Sequence, residues 1–235
     1  MPAAPPKFAD ILTKLEKHYG RLKPEHPTDP FSIILWEKMG YLVEDSKRAL
    51  AFKALKQHVG IDPVKILATR LPVLEEICKI GGIHADKRAQ RLHECSAIVM
   101  DDFDGTLRNA LKLSPKQAIK AICRFPYVGE PGAEKVLLFT GAYPILAMES
   151  NSLRVLVRLG YGKESKNYTK MYRSTQEALV PEIPQDCATL IRANLVLRRH
   201  GQTLCKTTMP QCGGCPLLKN CAHARKLTAL RPKPV

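Results

Sequence analysis

Long apolar runs are absent from this 235-residue sequence, and so is the alternation of apolar and polar residues that is typical of half-buried strands. No stretch approaches the ~20 apolar residues that cross a bilayer. The first residues, from Met1 to Lys7, include three prolines and lack the apolar core of a signal peptide. A membrane-spanning protein is therefore excluded, and we expect a protein of the reducing cytoplasm.

Acidic residues are few relative to basic ones. The sequence has 37 lysines and arginines against 22 aspartates and glutamates, which gives a formal net charge of +15. This surplus favours a polyanionic partner, although a basic surface that serves only solubility explains the charge equally well. Hydrophobic residues make up 45% of the chain, enough for the core of one large domain or two small ones.

Helical periodicity predicts an all-α fold of about ten short helices joined by tight turns. The apolar face of a first helix is formed by Phe8, Ile11, Leu12 and Leu15. The pairs Asp29-Pro30 and Ser114-Pro115 each combine an N-cap residue with a proline at the first helical position. Leu71-Pro72 is a third candidate helix start.

Half of the eight cysteines are concentrated near the carboxyl end of the sequence. They follow the spacing C-x6-C-x2-C-x5-C and are Cys205, Cys212, Cys215 and Cys221. Four thiolates this close together suit zinc or an iron–sulfur cluster. Zinc sites usually combine two C-x2-C pairs, whereas this stretch has one, so the spacing favours four irons held by four cysteines. Two disulfides or a single zinc ion are the alternatives.

The remaining cysteines are scattered through helical patterns. They are predicted to be small buried residues rather than ligands: Cys78, Cys95, Cys123 and Cys187.

The cysteine spacing, preceded by Arg199-His200-Gly201, resembles the cluster loop of the endonuclease III family of helix-hairpin-helix (HhH-GPD) DNA glycosylases. The resemblance extends from about Asp29 to Cys221. It implies two helical lobes with a cleft between them, a 4Fe-4S cluster, and double-stranded DNA with a damaged or mispaired base as the partner. It also implies a monomer in a bacterial-type cytoplasm, associated with the nucleoid.

The resemblance also implies a division of the chain. Residues 29–140 would form a six-helix lobe that contains the hairpin. Residues 1–28 and 141–203 would form the second, discontinuous lobe, and residues 204–222 the iron–sulfur loop.

The stretch from Phe125 to Gly129, Phe-Pro-Tyr-Val-Gly, resembles the family's hairpin, Leu-Pro-Gly-Val-Gly. Tyr127 replaces the first glycine, so we expect the turn to lose one left-handed position. Without the resemblance, the stretch would be an ordinary corner between two helices. With it, backbone N–H groups of the turn would bind a DNA phosphate. The predicted DNA-binding residues of this region are Tyr127, Val128, Gly129, Gly132 and Lys135.

Bifunctional members of the family carry a nucleophilic lysine two residues after the second hairpin glycine, where this chain has Pro131. Lys135 lies one helical turn further along. The resemblance therefore implies a monofunctional glycosylase with water as the nucleophile. A bifunctional lyase that uses Lys135 is an alternative, and a solvated or phosphate-binding Lys135 is the plainer interpretation.

Two glutamates are the candidate catalytic residues. Glu37 stands where the adenine-removing branch of the family has the acid that protonates the departing base, and burial would raise the pKa of such an acid. Glu149 stands where the family has an aspartate that stabilises the positive charge of the sugar. A solvent-facing Glu37 and a purely structural Glu149 are the alternatives, with Ser150 or Asn151 as the helix cap.

Two short stretches resemble the segments that the family inserts into DNA. Tyr41 and Leu42 form the first of them, and Ile83 and His84, after two glycines, form the second. Buried corner residues would explain the second stretch nearly as well, and His93 and His200 are predicted to be structural.

The segment from Asp102 to Leu107 contains Asp-x-Asp-Gly-Thr-Leu, which resembles a phosphatase motif. That chemistry requires a buried parallel strand, and no strand pattern surrounds the motif. We interpret it as a chance match, a helix end followed by an Asp-Gly turn.

The sequence thus predicts a DNA-repair N-glycosylase, a hydrolase, that flips its target base out of the duplex. A non-catalytic protein that binds damaged DNA is the alternative. Glu37 discriminates between them, because an acid has little purpose in a protein that only binds.

Overall fold

The computed structural model describes residues 4–229, and over this range the chain is helical with no strand, which confirms the all-α prediction. The helices, in chain order, are α1 (Phe8–Tyr19), α2 (Pro30–Lys38), α3 (Asp45–His58), α4 (Pro63–Ala68), α5 (Leu71–Lys79), α6 (Ala85–Phe103), α7 (Pro115–Ile122), α8 (Glu130–Phe139), α9 (Ser150–Leu159), α10 (Tyr168–Leu179), α11 (Cys187–Thr203) and α12 (Ala222–Ala229). Short 3-10 helices cover Leu107–Lys112, Cys212–Gly214 and Leu218–Asn220.

The chain divides into two compact units. One consists of Pro24–Tyr143, and the other combines Met1–Lys23 with Pro144–Val235.

Helices α2 and α6 form the centre of the Pro24–Tyr143 unit. Eight of the nine residues of α2 are buried, so this helix is enclosed on nearly all sides, as expected of a core helix. The long α6 packs against α2, α4 and α5. The predicted helix starts are confirmed, since Asp29 accepts a hydrogen bond from the Ser32 backbone N–H at 3.0 Å and α5 begins at Leu71. Ser114 and Gln117 form a capping box at the start of α7.

In the other unit, α11 packs against both α9 and α1. The predicted apolar face of α1 is confirmed, because Phe8, Ile11, Leu12 and Leu15 are all buried. A buried Asn194 on α11 donates its side-chain N–H to the Ala147 carbonyl at 2.7 Å, which fixes the segment that leads into α9. The start of α9 is therefore held by the core of its own unit.

The phosphatase-like motif is a helix end, as predicted. Helix α6 ends at Phe103, and the next two residues, Asp104 and Gly105, have left-handed φ angles of 51° and 78°.

Two features of the composition have direct structural counterparts. No helix between residues 4 and 229 is long and apolar enough to cross a membrane.

Of the four scattered cysteines, Cys78 and Cys95 are buried as predicted, whereas Cys123 and Cys187 are only half-buried. The latter two lie at helix ends, where one side of the residue faces solvent.

Candidate functional site

Two neighbouring turns carry the four residues that were predicted to enter DNA. The Tyr41 backbone N–H donates to the Gly81 carbonyl at 3.1 Å, which joins the turn after α2 to the turn before α6. Leu42 is 80% exposed and Ile83 is 54% exposed, although both are large apolar side chains. The rings of Tyr41 and His84 lie 5.8 Å apart. The structure therefore places all four residues together on one surface of the Pro24–Tyr143 unit.

The two glycines before Ile83 allow this close approach. A Cβ atom on Gly81 would lie 1.7 Å from the Met39 carbonyl oxygen, and one on Gly82 would lie 2.7 Å from that of Tyr41. Gly82 also has a φ of +104°, which L side chains rarely adopt. Glycine alone fits these contacts without a shift of the turns, so the Gly-Gly pair is a requirement of the joined turns in this arrangement.

The hairpin lies between α7 and α8. The expected loss of a left-handed position is wrong, because Tyr127 itself adopts a φ of 57° and keeps the turn. Its ring is 80% exposed, and the Arg91 guanidinium carbon lies 3.9 Å from the ring centroid, close enough for a cation–π contact. Arg91, a half-buried residue of α6, is thus a residue of this surface that sequence reasoning missed, and no local signal in the sequence suggests it.

The N-terminus of α8 follows directly on the hairpin. Val128 is half-buried, Gly129 is the N-cap, and Gly132 lies in the first turn, where its amide donates to the Gly129 carbonyl at 2.9 Å. The N-terminus of a helix carries partial positive charge and favours an anion beside it. The buried Lys38 ammonium donates to the Pro126 carbonyl at 2.5 Å, and burial lowers the pKa of Lys38. This second unpredicted residue fixes the hairpin to α2.

Glu37 lies at the centre of a cluster of charges on α2, α3 and α8. Lys135 donates to its Oε1 at 2.6 Å, and Arg48 Nη1 lies 3.7 Å from its Oε2. The side chains of Glu37 and Lys135 are 35% and 21% exposed. The sequence predicted an acid in an apolar, buried environment, whereas the structure gives a half-buried carboxylate whose ionised form is stabilised by two cations.

Pro131 and Lys135 both lie on α8. The Lys135 ammonium is also 5.8 Å from the centroid of the Phe139 ring. Lys135 therefore contacts both Glu37 and an aromatic face, so it is not a purely solvated lysine. Phosphate binding by Lys135 stays a prediction.

In the other unit, Glu149 is the N-cap of α9. Its Oε1 accepts hydrogen bonds from the Ser152 backbone N–H at 2.7 Å and from the Ser152 hydroxyl at 3.0 Å, and its Oε2 accepts one from Asn151 at 2.8 Å. Ser150 and Asn151, predicted as alternative caps, are within or at the start of the helix instead. The dipole of α9 and these donors stabilise the negative charge of Glu149.

The four clustered cysteines line a single pocket between α9, the end of α11 and the loop that follows it. The pocket also includes His200, whose Nε2 lies 3.5 Å from the Cys215 sulfur. Arg158 donates to the Cys205 sulfur at 3.3 Å and to the Lys206 and Thr207 carbonyls. The loop is therefore fixed around the cysteines by contacts to α9.

The chemistry of this pocket suits a metal centre that supplies positive charge. Burial raises the pKa of the Cys215 thiol to about 11, so a thiolate there needs a nearby cation. Burial also lowers the pKa of His200 to about 4, so its ring is neutral at pH 7. Within residues 4–229, no three His, Cys, Asp or Glu side chains are arranged to hold one metal ion.

Sequence comparison finds relatives along most of the chain, although no protein-family model matches it. The Endonuclease III of Thermotoga maritima is 26% identical over 217 residues, which are 92% of this chain and 93% of the relative. The Endonuclease III of Rickettsia conorii is 24% identical over 222 residues, again 92% of this chain. The Adenine DNA glycosylase of Mycolicibacterium smegmatis is 26% identical over 137 residues, but this match covers only 43% of that protein.

Solved structures show the same fold. An endonuclease III trapped in a covalent intermediate with DNA superposes with a TM-score of 0.74 and 21% identity, over 95% of this chain and 99% of that one. A thermostable thymine-DNA glycosylase gives a TM-score of 0.73 and 18% identity, over 93% and 97% of the two chains. The chain is thus similar in sequence to proteins named Endonuclease III, and it shares the fold of solved endonuclease III structures.

Proposed function

We propose that the protein is a base-excision DNA N-glycosylase that hydrolyses the glycosidic bond without cleaving the strand. The observation that carries this proposal is the pairing of Glu37 with Lys135 in the unit that also presents the hairpin and the exposed Leu42 and Ile83. A half-buried carboxylate beside a DNA-binding surface can serve as an acid for the departing base. Relatives named Endonuclease III and Adenine DNA glycosylase support DNA glycosylase activity.

In the proposed reaction, the start of α8 would bind a phosphate, and Tyr41, Leu42, Ile83 and His84 would enter the base stack. The target nucleotide would then turn out of the duplex, because its glycosidic bond cannot be attacked within the stack. The minor, protonated fraction of Glu37 would give its proton to the leaving base as the bond to the sugar breaks. Lys135 and Arg48 would then stabilise the carboxylate that remains. Glu149 would stabilise the positive charge that develops on the sugar. Water would add to the sugar carbon and lose a proton to the Glu37 carboxylate, which restores the acid.

A panel of duplexes with one damaged or mispaired base each tests the proposal. We expect base release from at least one of them, detected as strand breaks only after alkali. Borohydride should trap little protein–DNA adduct, since Pro131 has no amine and the Lys135 ammonium is held by Glu37. Efficient trapping that disappears in Lys135→Ala would show instead a bifunctional lyase. Tight binding of damaged duplexes without release of any base would show a binding protein.

Replacing Glu149 with glutamine is expected to slow base release by about 10- to 100-fold, because the charge opposite the developing cation is lost. Glutamine keeps an oxygen for the Ser152 N–H, so the cap of α9 should survive. Single-turnover rates at saturating protein, with circular dichroism as the control for folding, measure the effect. An unchanged rate would mean that Glu149 only caps the helix.

Replacing Gly129 with valine is expected to weaken DNA binding without loss of stability. A Cβ at this position would meet only the Pro131 ring, at 3.8 Å, so the chain has room for it. A phosphate that approaches the start of α8 would be displaced, and losing one charge-assisted hydrogen bond would raise Kd by about tenfold. Fluorescence anisotropy at fixed salt measures Kd. Unchanged affinity would exclude the hairpin from the DNA contact.

We further propose that Cys205, Cys212, Cys215 and Cys221 hold a 4Fe-4S cluster. The shared pocket and the need of the Cys215 thiolate for a positive neighbour support this assignment. When bound, such a cluster closes the loop after α11, which has little apolar core of its own. His200 and Arg158 would be its nearest hydrogen-bonding neighbours.

Two expectations stay predictions. The first is that the protein is a monomer that binds double-stranded DNA. The second is the division into functional domains, namely residues 29–140, residues 1–28 with 141–203, and residues 204–222.

A further inference from the structure

Arg88 is a charged residue in the interior of the Pro24–Tyr143 unit. Its side chain lies on α6, is 1% exposed and donates to main-chain carbonyls rather than to a solvent-facing partner. Its Nε reaches Ile83 at 3.1 Å and its Nη1 reaches Met39 at 2.9 Å. Its Nη2 reaches both Cys78 at 2.5 Å and Gly82 at 2.6 Å. One guanidinium therefore binds four carbonyl oxygens.

Three of these carbonyls belong to the two turns that present Leu42 and Ile83, and the fourth, that of Cys78, lies near the end of α5. Met39 begins the first turn, and Gly82 and Ile83 lie in the second. The turns also contact each other directly through the hydrogen bond from Tyr41 to Gly81. Arg88 is thus an anchor that the two turns share, and a shift of either turn would disturb its bonds to the other.

Both turns need such an anchor because their backbones are strained. Leu42 and His84 adopt left-handed φ angles of 53° and 57°, which cost free energy in residues other than glycine. Strain of this kind persists only where surrounding contacts determine the conformation. Arginine suits this position because its planar group directs five N–H donors, whereas a lysine has three on one nitrogen.

We propose that Arg88 is a positioning residue that couples the two turns, so that Leu42 and Ile83 enter the base stack as one unit. This proposal rests on the proposed DNA-binding role of the turns, but not on base release. Arg88 itself is buried and would touch neither the DNA nor the reacting atoms.

A double-mutant cycle tests the coupling without knowledge of the target base. The probe is a duplex with a tetrahydrofuran abasic-site analogue next to 2-aminopurine, and the reference is the intact duplex of the same sequence. Anisotropy gives the ratio of the two affinities, and 2-aminopurine fluorescence reports unstacking. Leu42→Ala and Ile83→Ala should each lower the ratio by about tenfold. The double variant should also lose about tenfold rather than about 100-fold, because the effects of residues that are coupled through a shared backbone contact are not additive.

Two further variants address the anchor. Arg88→Lys should lower the preference for the abasic duplex. In this background the losses in affinity ratio from Leu42→Ala and Ile83→Ala should multiply, because the two turns are no longer coupled. Gly82→Ala should act in the same way without changing Arg88, because its Cβ would lie 2.7 Å from the Tyr41 carbonyl oxygen. Arg192→Lys is the matched control, since Arg192 pairs with Glu16 at 3.0 Å in the other unit and should leave the coupling intact.

If the losses from Leu42→Ala and Ile83→Ala multiply in the wild-type background, the proposal is overturned. It is also overturned if the two losses are as strongly coupled in Arg88→Lys and Gly82→Ala as they are in the wild type. Equal affinity of the wild type for abasic and intact duplexes would overturn it as well. The wild-type cycle and Gly82→Ala decide the matter if Arg88→Lys does not fold. Because these measurements use no cleavable base, a protein that releases no base can still show the coupling, so the two proposals fail separately.

Discussion

Replacing Glu37 with glutamine is expected to slow base release by about 100- to 10,000-fold, the range that general acid catalysis contributes. The amide keeps the shape of the side chain and can still accept the hydrogen bond from Lys135, but it has no proton to give to the departing base. DNA affinity should change little, since Glu37 is a half-buried residue and not part of the exposed turns. Single-turnover release from the best duplex of the panel measures the rate.

The charge that Glu37 shares with its neighbours requires a second variant. Glu37→Gln leaves Lys135 and Arg48 without their carboxylate, and this imbalance could itself slow the reaction. Lys135→Met in the Glu37→Gln background removes half of the imbalance but restores no acid, so release should stay slow. Recovery of the rate in the double variant would show that Glu37 only balances charge.

Glu76→Gln is the matched control. Glu76 forms a similar pair with Lys79, at 2.5 Å, but on an exposed face of α5. Exposed pairs contribute little to stability, and this one lies outside the proposed site, so neither the rate nor the melting temperature should change appreciably. Equal losses in Glu37→Gln and Glu76→Gln would contradict a catalytic role for Glu37.

Local signals in the sequence were sufficient to predict the helical architecture. Asp29 with Pro30, and Ser114 with Gln117, start helices as predicted because a cap is an interaction between residues three positions apart. The phosphatase-like motif was also rejected correctly on a local signal, because the lack of a strand pattern around it is visible in the sequence alone. Periodicity and capping thus determine where the helices begin and end.

The contacts that give the site its character could not be predicted in this way. Glu37 and Lys135 are 98 positions apart in the sequence, and Arg88 reaches Met39 across 49. Charged side chains on a helix are normally expected on its exposed face. Arg88, which is buried against main-chain carbonyls, contradicts this expectation. Tyr127 shows a different limit of prediction from sequence. Residues other than glycine rarely adopt a left-handed φ, so the sequence predicts that a tyrosine at this position removes the left-handed turn, whereas Tyr127 keeps it.

A further large effect is expected at the cysteines. Protein purified without oxygen should be brown and contain about four irons per chain, in keeping with ligation by four cysteines. Replacing Cys212 with serine should remove most of the iron and lower the melting temperature. Cys212 lies in a 3-10 helix of a loop whose exposed residues include Lys206 and Met209, so few apolar contacts remain when the metal is lost.

Cys187→Ser is the control for this experiment. Cys187 is half-buried like Cys212 and belongs to the same unit, but it lies at the start of α11, away from the pocket of the four cysteines. Serine is well tolerated at a helix start, so the iron content and the melting temperature should stay as in the wild type. Iron analysis, visible absorption and calorimetry distinguish the two variants. Stoichiometric zinc without iron in the anaerobic wild type would contradict the cluster, and equal iron loss in both variants would contradict its assignment to these four cysteines.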